Sequence, residues 1–411
     1  MRYYVETHGC TMNFGESRKL SEDMASLGHQ QVGTPEEADI AILNTCTVVD
    51  TTEKKMLDRI SQFKRMGLEV VVTGCMAKVQ PRRIEIRLPG SPIIPPEDYG
   101  GFREEMARRF GTAGEPTVPE ATPDHIIPVA QGCRGNCSYC ITKFARGDLL
   151  SYPADGLIED FNRGISNGSK EILLTAQDTA CYGLDGGIDL PELIRRMLRT
   201  EGDYRIRVGM MNPNHLHPIA EGMLECMNDD RLYRFLHIPV QSGSNTILRG
   251  MRRGYTRESF MELVDMLRSH HPDISIATDI ITSFPGETDE DHLATMDLVR
   301  ELKADTLNIT RFSARPGTDA ASMEPVHGRI AKARSAELTA LKNEVEYNVN
   351  QRMVGRCYDA LATEHKDGTI VRTGNYRPVV IDGDIPLGTF VKVRVTECRP
   401  TYLFGELLES F

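Results

Sequence analysis

Cys133, Cys137 and Cys140 stand in one local run, Gln131-Gly132-Cys133-Arg134-Gly135-Asn136-Cys137-Ser138-Tyr139-Cys140. At that spacing a single tight loop brings three thiolates onto one metal cluster. Three cysteines on a four-iron cluster leave one iron without a protein ligand, and an open coordination position separates a catalytic metal centre from a structural one. A structural zinc site asks for a fourth Cys or His close by, and the nearest downstream cysteine, Cys181, lies far outside the loop.

A second set of cysteines is spread along the chain. Cys10 follows Tyr3-Tyr4-Val5-Glu6-Thr7-His8-Gly9, Cys46 follows Ile40-Ala41-Ile42-Leu43-Asn44-Thr45, and Cys75 follows Val70-Val71-Val72-Thr73-Gly74. Each closes an apolar, β-branched run, and helix-like stretches at about residues 14–27 and 50–66 separate the runs. Strand-helix-strand-helix-strand predicts a parallel α/β sheet with right-handed crossovers. Such sheets bind ligands outside the carboxyl ends of their strands, so the three cysteines are expected to converge as a second three-thiolate site. Cys181, Cys226, Cys357 and Cys398 are surplus to both sets and read as ordinary buried thiols.

The elements that must position these residues follow from punctuation. A chain of 411 residues predicts two or three domains. The polar, aperiodic stretch Gly111 to Glu120 reads as a linker. Beyond it, apolar strands alternate with amphipathic helices, at Glu171–Thr175, Tyr204–Val208, Phe235–Val240, Ile274–Ile280 and Thr306–Thr310, besides the strand before Cys133. Six β/α repeats predict a TIM-like barrel, partial or full, with its active site at the strand C-termini. A polar helix from about Ile330 to Gln351 leads into short strands with Gly-rich turns, a small β-barrel. The expected division is 1–112 for the parallel-sheet domain, 113–124 for the linker, 125–345 for the β/α barrel and 346–411 for the terminal barrel. Lys392 and Arg394 alternate with valines and share one solvent face of a terminal strand.

Charge and leader signals bound the setting. Net charge is −11; residues 1–112 carry 15 basic and 16 acidic groups and residues 350–411 eight of each, which leaves −10 for the middle. Any RNA binding must therefore use local basic patches, most readily at the two ends. Met1-Arg2-Tyr3 leads directly into the first strand, and no apolar run approaches the ~20 residues that cross a bilayer, so a reducing cytoplasm and no membrane partner are expected.

Cys133-x3-Cys137-x2-Cys140, with Tyr139 before the last cysteine, resembles the signature of radical S-adenosylmethionine (SAM) enzymes. The preceding Cys10/Cys46/Cys75 unit resembles the methylthiotransferase amino-terminal domain, and the last unit the TRAM RNA-binding domain. Cys133 to Pro153, Phe235 to Ser244 and Ala277 to Asp289 are most similar to the archaeal and eukaryotic branch, which converts N6-threonylcarbamoyladenosine at tRNA position 37 to its 2-methylthio derivative. Phe144 departs from the histidine of eukaryotic members, and the chain stops after the terminal barrel without their membrane-anchoring tail, as an archaeal-type soluble form would. The resemblance implies two [4Fe-4S] clusters, on Cys133/Cys137/Cys140 and on Cys10/Cys46/Cys75, together with SAM, a tRNA substrate and an electron donor such as a flavodoxin or ferredoxin. Adenine carbon 2 has neither an acidic proton nor a leaving group, so cofactor-borne radical chemistry suits it.

Around SAM the resemblance implies Tyr139, Gln177, Gln241, Ser242 and Ile281 as contacts. Lys143, Arg146, Arg372, Arg377, Lys392 and Arg394 are the RNA-contact expectations, and Lys143, Arg146, Arg311 and Arg315 the basic residues expected near the barrel mouth, where one of them meets the threonyl carboxylate. The other readings are a methylthiotransferase for isopentenyladenosine tRNA or for a ribosomal aspartate, and a non-catalytic iron-sulfur RNA-binding protein.

Overall fold

The computed structural model describes residues 1–48, 50–117 and 122–411. Of the expected linker, residues 118–121 lie outside the described residues, while Ala113 and Thr117 are hydrogen-bonded to the carbonyls of Leu27 and Ala25.

The first unit comprises β1 (Arg2–Thr7), α1 (Thr11–Ser26), β2 (Gln30–Gln31), β3 (Ile40–Thr45), α2 (Asp50–Arg65), β4 (Glu69–Gly74), α3 (Cys75–Val79), α4 (Pro81–Glu85), β5 (Ile93–Ile94) and α5 (Phe102–Phe110). Its strands form one parallel sheet in the order β2-β1-β3-β4-β5. Every residue of β3 is buried, as a central parallel strand covered on both faces requires. Ala41 and Leu43 pack with Phe63 and Val72 on one face, and Ile40 and Ile42 with Leu20, Met24 and Phe102 on the other.

The central unit carries six main strands: β6 (Asp124–Pro128), β9 (Glu171–Thr175), β10 (Arg205–Val208), β11 (Phe235–His237), β12 (Ser275–Thr282) and β13 (Thr306–Arg311), with a short ribbon of β7 (Ala130–Gln131) and β8 (Leu150–Ser151). Its helices are α6 (Ile141–Arg146), α7 (Ala154–Ser166), α8 (Leu190–Met197), α9 (Pro213–Leu216), α10 (Ala220–Cys226), α11 (Asn245–Gly250), α12 (Arg257–His270), α13 (Asp289–Leu302) and α14 (Gly328–Gln351). The strands pair in parallel as β10-β9-β6 and β11-β12-β13, and one parallel bridge, Ile206 to Leu232, joins the halves. Among the described residues β6 and β13 are not paired, so the barrel is partial. Helix α1 packs against β6: Gly15 lies on Ile126 and Pro128, and Arg18 grips both oxygens of Asp124 at 2.7 and 2.8 Å. Capping boxes at Thr256/Ser259 and Thr288/Asp291 start α12 and α13.

Helix α14 runs unbroken to Gln351, so the expected division after residue 345 falls inside it. The terminal strands β14 (Cys357–His365), β15 (Thr369–Thr373), β16 (Pro378–Ile381), β17 (Phe390–Cys398) and β18 (Leu403–Ser410) close a barrel in the order β14-β15-β16-β18-β17. This barrel seats on the N-terminal ends of the central strands. Tyr376 packs with Tyr233, Phe235 and Ala277, and Arg205 lies over the Phe390 ring. No helix among the described residues is long and apolar enough to cross a membrane.

Candidate functional site

Both cysteine sets lie at strand C-terminal ends, opposite the terminal barrel. Cys10 caps α1 just past β1, Cys46 follows β3, and Cys75 opens α3 directly after β4. Two glycines allow them to approach. Gly74 has φ 85°, and a Cβ there would stand 2.3 Å from Asn44 Oδ1 and 2.4 Å from the Thr45 carbonyl; a Cβ on Gly9, at φ 137°, would meet Asn13 Nδ2 at 2.6 Å and Cys46 Cβ at 3.3 Å. Burial pushes Cys75 up to about 11, against the Arg146 guanidinium beside it and with smaller contributions from the charges of Cys46 and Cys10. Burial likewise raises Cys46, against donation from the Val48 and Thr47 N–H groups.

Below this triad lies a buried polar network. Asn13 Nδ2 donates to the carbonyls of His8 and Thr45, Asn44 Nδ2 donates to the Asn13 carbonyl and Ser17 Oγ, and Gly74 N–H donates to Tyr99 Oη. Arg146 reaches into it from the central unit. Its guanidinium donates to Cys75 Sγ at 3.3 Å, to Asn13 Oδ1 at 3.0 Å and to both oxygens of Glu16. Burial opposes the Arg146 charge, but Cys75 and Glu16 outweigh it and hold its pKa well above the ordinary value.

The second triad sits in the loop between β7 and α6. Gly135 N–H donates to Cys133 Sγ at 3.1 Å, and Arg253 donates to Cys137 Sγ at 3.3 Å while its other nitrogens hold Tyr255 Oη and the Pro239 carbonyl. Burial raises Cys140, opposed by the Lys143 and Thr142 N–H groups at the start of α6. This donor set fits cluster-bound thiolates: N–H and guanidinium groups aimed at sulfur stabilise negative charge there. Cys140 caps α6, which ends at Arg146, the donor to Cys75, so six residues, about 9 Å of helix, connect the two triads.

The expected cofactor contacts divide. Tyr139 and Ile281 pack together in a small apolar cluster with Phe284, Met251 and Phe312. Gln177 accepts from Gly132 N–H at 2.7 Å and so braces the cysteine loop. Gln241 is held at φ 72° with its Oε1 buried and unpartnered among the described residues, and Ser283, at φ 60°, has an equally unpartnered Oγ. Strained backbone carrying orphaned oxygens at two adjacent strand ends fits a polar ligand. Ser242 does not face the same way; its hydroxyl is buried against Thr295 Oγ1 of α13 and receives Ser244 N–H.

Several basic residues require correction. Arg146 is buried at the seam described above, and Arg377 is buried between Asp305, Asn350 and the terminal barrel, so neither presents its charge to RNA. Arg372 is committed to Glu364 and stacked on Tyr376. Arg315 is buried against Glu53 and Thr47 of the first unit, which commits its charge to that carboxylate. Arg311 is exposed, but alternation along β13 puts it on the side of Leu307 and Ile309, which pack on the helix layer. Lys143 donates to the Cys133 carbonyl and pairs with Asp148 at 2.6 Å. Lys392 and Arg394 are exposed on one face of β17, with Arg394 pairing Glu406 at 2.9 Å.

The surplus cysteines also divide. Cys226 and Cys398 are buried and Cys357 is exposed, whereas Cys181 lies in the turn after β9, within 4.8 Å of Cys133 Sγ and of Asp178. Sequence spacing concealed Cys181, His215 and Arg253 from the site, because they arrive on three different β/α loops, with Asp178 on the same turn as Cys181.

Residues 2–94 match the family described as uncharacterized protein family UPF0004, residues 127–299 the radical SAM superfamily and residues 351–408 the TRAM domain. Among solved structures, the radical S-adenosylmethionine methyltransferase TsrM of Kitasatospora setae superposes with a TM-score of 0.58 at 14% identity, over 78% of this chain and 75% of that one. The cobalamin-dependent SAM radical enzyme OxsB gives 0.53 at 11% identity, over 83% and 56%. These likenesses carry the fold. The partial β/α barrel with its three-cysteine loop therefore defines a radical SAM enzyme, a class that works with a [4Fe-4S] cluster and SAM.

Full-length relatives narrow this further. The chain is 37% identical to the Pyrococcus abyssi protein named "Probable threonylcarbamoyladenosine tRNA methylthiotransferase", over 99% of this chain and all of that one. It is 34% identical to the Xenopus laevis threonylcarbamoyladenosine tRNA methylthiotransferase, over 100% of this chain and 77% of that protein. The chain belongs to the threonylcarbamoyladenosine tRNA methylthiotransferase family.

Proposed function

We propose that this protein installs a methylthio group on carbon 2 of N6-threonylcarbamoyladenosine at position 37 of tRNA. The observation that carries the reading is the pair of three-thiol groups at the strand ends, joined by α6. In this reading residues 1–112 hold an auxiliary [4Fe-4S] cluster on Cys10, Cys46 and Cys75, residues 125–345 hold the radical cluster on Cys133, Cys137 and Cys140, and residues 346–411 bind RNA. The radical cluster with SAM supplies one-electron cleavage and the hydrogen-abstracting power that a non-acidic aromatic carbon needs. A cluster held by Cys10, Cys46 and Cys75 would hold or supply the sulfur.

The chain's own residues position and protect. Gln177 braces the radical-cluster loop through Gly132, and Arg253 and Gly135 N–H donate to its sulfurs. Gln241 Oε1 and Ser283 Oγ offer acceptors to the polar groups of SAM, with Tyr139 and Ile281 walling the apolar side. Arg146 neutralises the auxiliary site and fixes its sheet against the barrel. Lys392 and Arg394 attract phosphate from the far end of the barrel, so the bound tRNA spans both ends. A small flavodoxin- or ferredoxin-type protein supplies electrons.

Anaerobic reconstitution should yield about eight irons per chain as two four-iron clusters. Cys137→Ala should lose the radical cluster alone. Cys10→Ala/Cys46→Ala/Cys75→Ala should keep about four irons and still cleave SAM, yet transfer no methylthio group. Nucleoside mass spectrometry on tRNA bearing threonylcarbamoyladenosine, isopentenyladenosine or plain adenosine tests the substrate. Preference for the isopentenyl tRNA overturns the substrate, and loss of all iron in the triple variant overturns the two-cluster reading.

A further inference from the structure

Cys133, Asp178 and Cys181 form a trio of metal-ligating side chains whose ligand atoms all lie within 4.8 Å of one another. A fourth donor joins them. His215 Nδ1 is 3.0 Å from Cys181 Sγ and 2.7 Å from Asp178 Oδ2, and Cys181 Sγ is 3.1 Å from the same carboxylate oxygen. The four come from three separate loops at strand C-terminal ends: the cysteine loop, the turn after β9, and α9 after β10. Asp178 and Cys181 are almost wholly buried, and Asp178 Oδ1 takes the Asn212 N–H at 3.0 Å, which turns Oδ2 toward the group. Orienting a ligand through its other atom is how protein metal sites are held.

Cys133, Asp178 and Cys181 bring two sulfurs and one carboxylate oxygen together, and the His215 imidazole nitrogen lies beside the second sulfur and the carboxylate. A four-iron cube places each cysteine on a different iron, whereas this convergence suits a single ion. Bond lengths of about 2.3 Å to sulfur and 2.0–2.2 Å to nitrogen and oxygen separate tetrahedral ligand atoms by roughly 3.3–3.8 Å. The present contacts of Cys181, Asp178 and His215, at 2.7–3.1 Å, are hydrogen bonds that must open by about half an ångström or slightly more.

We propose that the cluster-free protein binds one tetrahedral divalent ion of the zinc class on Cys133, Asp178, Cys181 and His215. Binding releases the thiol protons of Cys133 and Cys181 to solvent and involves no redox change. Cys133 belongs to both sites, so the ion and the radical cluster exclude each other. The exclusion, but not the ion site, rests on the reading of Cys133 as a cluster ligand.

Cobalt(II) is the probe, added anaerobically to chelator-stripped full-length Cys46→Ala/Cys137→Ala protein, in which neither cluster triad is complete. One cobalt per chain should bind, with the intense visible bands of a tetrahedral ion and a sulfur-to-cobalt charge-transfer band. Adding Cys181→Ser, or separately His215→Ala, should weaken binding at least tenfold. An unchanged spectrum in both of those variants, no binding in the parent, or only the weak bands of octahedral cobalt overturns the site. Zinc added to stripped wild-type protein should then lower later reconstitution by about four irons, and Cys181→Ser should relieve that block. Cobalt binding without any zinc block would remove the exclusion and the cluster role of Cys133 while leaving the ion site intact.

Discussion

Replacing Arg146 with Met should loosen the first unit from the barrel. The Arg146 side chain is 1% exposed and that of Glu16 7%, so water screens their pair very little. Methionine fills much of the volume but abandons Glu16, Asn13 Oδ1 and Cys75 Sγ together. Breaking a buried pair from one side costs about 3–5 kcal/mol, because the remaining charge is stranded. That is a large share of the 5–15 kcal/mol that holds a typical domain, and for a unit of this size it corresponds to a fall of about 10 °C or more in melting temperature. Adding Glu16→Gln removes the stranded charge, so the double variant should regain at least half of the loss. Anaerobic thermal melts of the parent, both single variants and the double variant close the cycle. A single variant melting within about 2 °C of the parent, or a double variant no more stable than Arg146→Met, would show that the pair does not hold the seam.

Other outcomes follow from separate parts of the molecule. Burial pushes Glu171 up to about 7, beneath Tyr233 and Arg372 at the floor of the barrel. A carboxyl raised in the fold stabilises fully below its unfolded pKa near 4.5 and loses that contribution as pH rises through 7, about 3 kcal/mol in all. The stability difference between Glu171→Gln and wild type should therefore grow in favour of Gln from pH 5 to 8; a pH-independent difference in denaturant titrations would rule this out. Lys392→Glu/Arg394→Glu changes exposed charges on β17. It should weaken tRNA binding and flatten its salt dependence by about one unit of log-log slope for each phosphate that the variant no longer neutralises, with the melting temperature unmoved; equal slopes would remove these residues from the interface. Removing the whole terminal barrel is a poorer test, since it uncovers Tyr233 and Phe235.

The strands, the parallel sheet and the strand-end placement of the cysteines were readable along the chain because they follow local rules. β-branched runs at β3 and β4 announce buried strands, a three-residue and a two-residue gap keep Cys133, Cys137 and Cys140 on one loop, and parallel topology sends Cys10, Cys46 and Cys75 to one edge. The alternation that put Lys392 and Arg394 on one face is equally local. The extent of the barrel was not readable, since β6 and β13 remain apart with α1 packed against β6. Nor was the fate of the arginines. Arg146, Arg315 and Arg377 look like surface cations in a linear reading, yet each is buried by partners from another unit, Glu16 and Cys75 for the first, Glu53 for the second, Asp305 for the third. Cys181 likewise looked remote from Cys133 until two loops folded over the same strand ends. Periodicity records which face of its own element a side chain takes, whereas the net position of a charge or thiol depends on long-range packing, where a guanidinium stays buried only if a distant carboxylate arrives to meet it.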